Sequence, residues 1–172
     1  MAQVVLLRGV NVGGHRTFRP ALLAKQLHHL GAVNIGAAGT FVIRRPISRA
    51  QLRLEFARRL PFDAEIMICQ SRQLVGLLSH TCFDEHPPDP DIVRFVSVLS
   101  RPSRAAPKLP LILPSRGTWL LQVLACDGRI VVGVYRRHMK VIGYLGRLDR
   151  LFGVPVTTRN WNTIAAIAKV LA

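Results

Sequence analysis

The sequence predicts an α+β protein built as two ferredoxin-like (split βαβ) halves, residues 1–70 and 71–172, the second a degenerate copy of the first. Three observations carry this. Apolar runs, glycines and helical periodicities follow the order β-α-β-β-α-β over the first seventy or so residues. A second series of apolar strands comes after them, with a four-proline stretch between its first two members. A length of 172 residues with 49% hydrophobic content provides a substantial core and excludes a disordered chain.

The elements of the first half read in order. "QVVLLR", residues 3–8, is a short continuous apolar run and reads as a buried strand. The glycine-rich stretch "GVNVGG" follows, and a helix begins near Thr17 to Pro20, where proline suits the first turn. Leu22, Leu23, Leu27 and Leu30 supply its apolar stripe, and Gly31 is placed to end it. "AVNI" and "TFVI" are two short strands on either side of "GAAG". Ser48 and Gln51 have capping-box spacing, so a second helix opens there. Leu52, Phe56 and Leu60 recur every four residues along it, and Pro61 ends it. "AEIMICQ" is the fourth strand.

The second half is less regular. "SRQLVGLLSH" reads as a short helix opened by Ser71, and "TCFDEHPPDPD" as an acidic connector. Strands are expected at Ile92–Leu99, Thr118–Leu124 and Arg129–Tyr135, the last two joined by a hairpin at Asp127-Gly128. Helices are expected at 141–152 and 161–171.

Charge is the strongest compositional signal. Lys and Arg total 24 against 9 Asp and Glu, a net charge of +15. No acid precedes Glu55, while seven arginines and one lysine do. Such a balance favours nucleic acid or phosphorylated ligands as partners. Arginine outnumbers lysine twenty to four, which a GC-rich coding bias explains, but that bias does not explain the shortage of acids.

Other classes are excluded or disfavoured. No apolar run approaches the ~20 residues needed to cross a bilayer, so no membrane partner is expected. The start "MAQVVLLRGV" lacks a basic leader and meets Arg8 early, which makes a cytoplasmic location the expectation. Cys69, Cys82 and Cys126 are odd in number and widely spaced, as reduced thiols are. His80, Cys82, Asp84, Glu85 and His86 lack zinc-ligand spacing, so no metal or other cofactor is expected. No Ser-His-Asp arrangement is readable, and the sequence assigns no catalytic residue.

Three stretches, "LLRGVNVGG" at 6–14, "GAAGTFVI" at 36–43 and "TTRNWNT" at 157–163, resemble the bacterial family called domain of unknown function 1697. The resemblance implies two ferredoxin-like halves side by side, and it carries no biochemical activity with it. At the second motif the family has Gln-Ser-Gly-Asn, where this chain has Ala37, Ala38, Gly39 and Thr40. The family's Gly-Arg-Ser-Lys stretch is replaced by "YRRHMK", with only Lys140 in common.

An anion site is expected at the first motif. In a ferredoxin-like half the first and third strands are antiparallel neighbours, which brings Gly9–Gly14 close to Ala38–Thr40. Glycines let backbone amides approach a phosphate, and a helix follows the loop. The candidate anion-binding residues are Arg8, Asn11, Gly13, Gly14 and Arg16, joined by Arg159 and Asn160 from the third motif. The competing reading is a tight turn needing positive φ at Gly13 or Gly14, because neither GxxxxGK[ST] nor GxGxxG is present. Thr158 or Asn160 is expected to cap the last helix, which places Arg159 at a helix N-terminus, a poor position for a cation unless it meets an anion or bonds to backbone carbonyls.

Base stacking in the manner of an RNA-recognition module is disfavoured, since the first strand has no aromatic and the third has only Phe41. Phosphate-backbone contacts need no rings. His28-His29 is read as a helix end, and Arg136, Arg137, His138 and Lys140 as a solvated basic rim able to extend a polyanion surface. The preferred function is therefore a non-enzymatic module binding phosphate-bearing partners such as nucleic acid. The alternatives are a small enzyme or metabolite binder with an anion pocket between the halves, and a protein-interaction domain whose motifs are structural.

Overall fold

A computed structural model describes residues 1–12 and 14–172; Gly13 lies outside the described residues. The chain is a mixed α/β protein with two antiparallel sheets, of four and five strands. It divides into two compact units, residues 1–78 with 163–172, and residues 79–162. The sequence assigned all of 71–172 to a second half. The short helix after the fourth strand and most of the last helix belong instead to the first unit.

In the first unit, β1 (Gln3–Arg8), α1 (Pro20–Gln26), β2 (Ala32–Ile35), β3 (Thr40–Ile43), α2 (Arg49–Arg59) and β4 (Glu65–Gln70) follow the expected order. The strands lie in the order β2-β3-β1-β4, so β1 is flanked by β3 and β4, both antiparallel to it. Val5 and Leu7 of β1, Phe41 and Ile43 of β3, and Ile66 and Ile68 of β4 share one sheet face. Leu23, Leu27 and Leu30 around α1, with Leu52, Phe56 and Leu60 around α2, pack on it. Val4, Leu6, Val42 and Met67 face the other way and are buried too. Burial on both faces is why β1 reads as a continuous apolar run and not as an alternation. Each such side chain contributes about 1.5–3 kcal/mol when fully buried.

The helix boundaries follow local chemistry. Pro20 opens α1, whose first N–H needs no partner. Leu22 is exposed and lies outside the apolar stripe expected of it. A 3-10 turn, His28–Leu30, ends on Gly31. Ser48 Oγ accepts the Gln51 N–H at 3.2 Å and caps α2. The short α3 (Ser71–Val75) is opened by Gln70 and not by Ser71, with Gln73 Oε1 accepting the Gln70 N–H at 3.0 Å.

In the second unit, β5 (Ile92–Leu99), β6 (Leu111–Leu113), β7 (Leu121–Asp127), β8 (Ile130–Arg136) and β9 (Val156–Asn160) lie in the order β6-β7-β8-β5-β9. The Asp127-Gly128 hairpin forms, with Asp127 paired to Ile130. The four-proline segment holds no α-helix, but it contributes β6, an edge strand the sequence did not suggest. The helical stretch expected at 141–152 is two short helices, α4 (Val141–Gly146) and α5 (Leu148–Phe152). Gly133 on β8 sits against the Phe95 ring: an added Cβ would lie 2.5 Å from Phe95 Cζ and closer still to the Gln122 carbonyl. The last helix, α6 (Trp161–Leu171), starts immediately after β9.

Candidate functional site

The loop after β1 closes on itself. Asn11 takes a left-handed conformation, φ 53°, which asparagine tolerates better than most residues. Its N–H donates to Arg16 O at 3.2 Å, and the His15 N–H donates to Val12 O at 3.0 Å. The Asn11 side chain works in both directions. Its Nδ2 donates to Ala37 O at 3.0 Å, and its Oδ1 accepts the Phe18 N–H at 2.9 Å. Those three backbone donors are therefore satisfied inside the protein. The expected approach of the two motifs is present as well, with Leu7 N–H on Gly39 O at 2.8 Å. Gly39 has φ 81°, and a Cβ there would lie 2.7 Å from Val10 Cγ2, so only glycine fits this approach.

Arg8 ends β1 opposite Glu65 of β4, and its Nη1 donates to Glu65 Oε1 at 2.7 Å. Gly14, φ 78°, and Arg16 are exposed at the loop surface. Gly13, also a candidate anion ligand, lies outside the described residues. The α1 helix that follows has seven residues and starts at Pro20, well past the glycines.

Arg159 and Asn160 belong to the second unit, and the loop residues to the first. "VTTRN" forms strand β9, antiparallel to β5 with Arg159 opposite Val96. Arg159 is thus a strand residue, favoured by the β-branched run Val156-Thr157-Thr158, and Asn160, one of the two residues expected to cap the last helix, directly precedes its first residue, Trp161. Thr157 and Arg159 share a strand face and are both buried. Arg159 is 8% exposed, and its Nη1 donates to Thr157 Oγ1 at 2.8 Å and Thr158 O at 2.9 Å. Desolvation by burial lowers its pKa to about 10, so it remains a cation at neutral pH. The expected bonding to backbone carbonyl is present. Asn160 is exposed at the end of β9.

Asn160 also lines a pocket contained within the second unit, about 290 Å³ in volume. Arg94, Tyr135, Arg137, Trp161 and Asn162 line it too. Arg94 is held by His86 O at 2.8 Å and lies 4.9 Å over the Phe83 ring, which packs edge-on against Trp161. Arg137 is held from one side, its Nε donating to Pro90 O at 2.9 Å. Burial raises the pKa of Tyr135, an effect Arg137 partly opposes, so its phenol is protonated and able to donate. The sequence treated Arg137 as rim and the "HPPDPD" segment as a linker. Only folding brings them against the ends of β8 and β9. Among the described residues no group of three or more His, Cys, Asp or Glu is placed to hold a metal ion, and His80 instead accepts the Cys82 N–H at 3.0 Å.

The described residues thus form an α+β protein with two antiparallel sheets, a self-latched loop in the first unit and a polar pocket in the second. A family model described as "Protein of unknown function (DUF1697)" matches residues 1–110, and the chain belongs to that family. Among solved structures, the conserved bacterial protein SP0830 from Streptococcus pneumoniae is similar, with a TM-score of 0.62 over 99% of this chain and 98% of that one. Its sequence identity is 16%, so the likeness is one of fold. No curated protein matches the chain. No helix among the described residues is long and apolar enough to cross a membrane.

Proposed function

We propose that the protein is a non-enzymatic module that binds phosphate-bearing polymers, nucleic acid first among them, through arginine contacts to the backbone. The observation that carries this is the way Arg44 and Arg45 are held. Both are exposed, and their partners are carbonyls: Arg44 Nε donates to Gly31 O at 3.3 Å and Arg45 Nη1 to His29 O at 2.9 Å. A carbonyl orients a guanidinium without cancelling its charge, and the remaining donors face water. Arg49 is exposed four residues further on. By contrast Glu55 neutralises Arg58 and Arg59, and Glu65 neutralises Arg8. Glu55 and Glu65, two of the three acids of the first unit, are therefore paired elsewhere, and its excess positive charge includes Arg16, Arg44, Arg45 and Arg49.

The scaffold reading supports a binding role. The strand order β2-β3-β1-β4 around two helices agrees with a ferredoxin-like first unit. In the second unit β7-β8-β5-β9 repeats that order, with the proline segment and β6 where the first helix would stand, as a degenerate copy would. Asn11 and Arg159 serve as fasteners in this reading, while Arg16, Arg44, Arg45 and Arg49 touch the phosphates. Titration of a labelled duplex and of its single strand at several salt concentrations tests it. Binding that weakens with a negative log–log salt slope is expected, and no binding to either at low salt overturns it.

A further inference from the structure

The pocket of the second unit collects hydrogen-bond donors that the protein does not use. Arg137 is anchored through Nε to Pro90 O and through its backbone N–H to Asp91 O, both at 2.9 Å. Its two terminal nitrogens have no protein partner among the described residues, and neither do the Tyr135 hydroxyl, the Trp161 indole N–H or the Asn162 amide. Arg137 and Asn162 are exposed and Tyr135 and Trp161 partly so, and among the described residues the buried side-chain atoms without a partner, Asn34 Oδ1 and Ser100 Oγ, lie outside the pocket. One carboxylate, Asp89, lines the pocket, and it is already engaged by the Asp91 N–H at 2.7 Å.

Such a donor excess around a fixed guanidinium selects an anion, because an anion accepts several hydrogen bonds without offering any. Tyr135, Trp161 and Ile92 add flat or apolar surface beside it. A volume of about 290 Å³ is near the lower end of small-molecule sites, roughly 300–1,000 Å³. A bare phosphate would leave the aromatic wall idle, and a nucleoside would leave Arg137 unanswered.

We propose that this pocket binds a nucleoside monophosphate, its phosphate on Arg137 and its base against the Tyr135–Trp161 wall. The site is independent of the polymer-binding surface argued above, since neither Arg44, Arg45 nor Arg49 lines it. Arg137 is the determinant of affinity and the aromatic wall the determinant of preference for a ring.

Calorimetry and thermal shift with AMP, adenosine and inorganic phosphate as probes test this. AMP at about ten times its dissociation constant is expected to raise the melting temperature by roughly 4 °C, with adenosine and phosphate each giving less. Arg137→Gln is expected to weaken AMP about tenfold or more while leaving the weak adenosine response unchanged. Trp119→Phe leaves Trp161 as the remaining tryptophan, and AMP is then expected to change its fluorescence. Arg45→Gln serves as the control that leaves AMP binding intact and weakens the polymer alone. The proposal is overturned by no AMP response at millimolar concentration, by equal affinity for AMP and phosphate, or by wild-type AMP affinity in folded Arg137→Gln. If Arg137→Gln does not fold, Asn162→Ala with unaltered AMP affinity and no fluorescence change overturns it equally.

Discussion

The Asn11 side chain donates to the main-chain carbonyl of Ala37 at 3.0 Å, so the loop after β1 and the β2–β3 turn are joined by a bond that needs no side chain from the turn. The latch therefore makes no demand on the side chains of Ala37 and Ala38. The latch uses a peptide oxygen, and every residue type supplies one.

Removing the latch should weaken the first unit. Asn11→Ala loses both side-chain bonds and places a Cβ residue at φ 53° without local compensation. A loss of about 2 kcal/mol in urea unfolding is expected. Asn11→Gly, which relieves the backbone, should lose less, and Asn11→Asp should fall between wild type and alanine because it keeps the acceptor for the Phe18 N–H.

Gly39→Ala should cost about 3 kcal/mol, since φ is 81° and the new methyl would meet Val10 Cγ2 at 2.7 Å and Leu7 Cβ at 2.9 Å. Part of this is steric, so Val10→Ala in the Gly39→Ala background should recover some stability. A double-mutant cycle reads the coupling; strict additivity would mean that the new methyl and Val10 do not collide.

Replacing Arg44, Arg45 and Arg49 with glutamine should leave the fold within about 0.5 kcal/mol of wild type, because all three are exposed. The salt slope of duplex binding should become shallower by about 2.7, at roughly 0.9 for each phosphate the protein no longer neutralises. An unchanged slope would move the polymer surface elsewhere on the protein.

Burial raises the pKa of both Cys82 and Cys126 above 9.0. Less thiolate at a given pH means slower alkylation, so at pH 8 both should react with iodoacetamide more slowly than glutathione, and Cys69, which is buried, more slowly again. Peptide mass spectrometry over a time course assigns each rate. Reaction faster than glutathione at either site would contradict the burial argument.

Arg159 gives a pH dependence at the alkaline end. Its folded pKa of about 10 lies below its ordinary unfolded value, so between the two the unfolded chain holds a proton that the folded chain has released. Its contribution to stability therefore rises with pH across that window, and below it the cost of burying the cation is fully present. Relative to Arg159→Met, the wild type should gain about 1 kcal/mol between pH 8 and pH 11 in urea unfolding. A flat difference would mean that Arg159 keeps its ordinary pKa when folded.

The elements with a local signature were legible: β1 from its apolar run, α1 from Pro20, α2 from Ser48 and Gln51, and α6 from its periodicity. Strand β9 was not, because "TTRN" beside a helix offers cap residues and strand residues in one stretch, and only pairing with β5 decides between them. Strand β6 escaped for the opposite reason, since three residues among prolines have too little pattern to register. The meeting of the first two motifs followed from strand order. The pocket did not, because Arg94, Tyr135 and Arg137 lie on or beside two different strands and Asp89 on the connector, and no spacing in the chain announces that they converge.

The first unit takes in residues 163–172 together with 1–78, and among them Ile164 and Ile167 are buried. A growing polypeptide on the ribosome therefore carries an incomplete opening body for as long as the intervening eighty-odd residues are being synthesised. Deletions or bulky fusions at the carboxyl end should injure the part of the molecule translated first, and limited proteolysis of such variants should release fragments from the amino-terminal side.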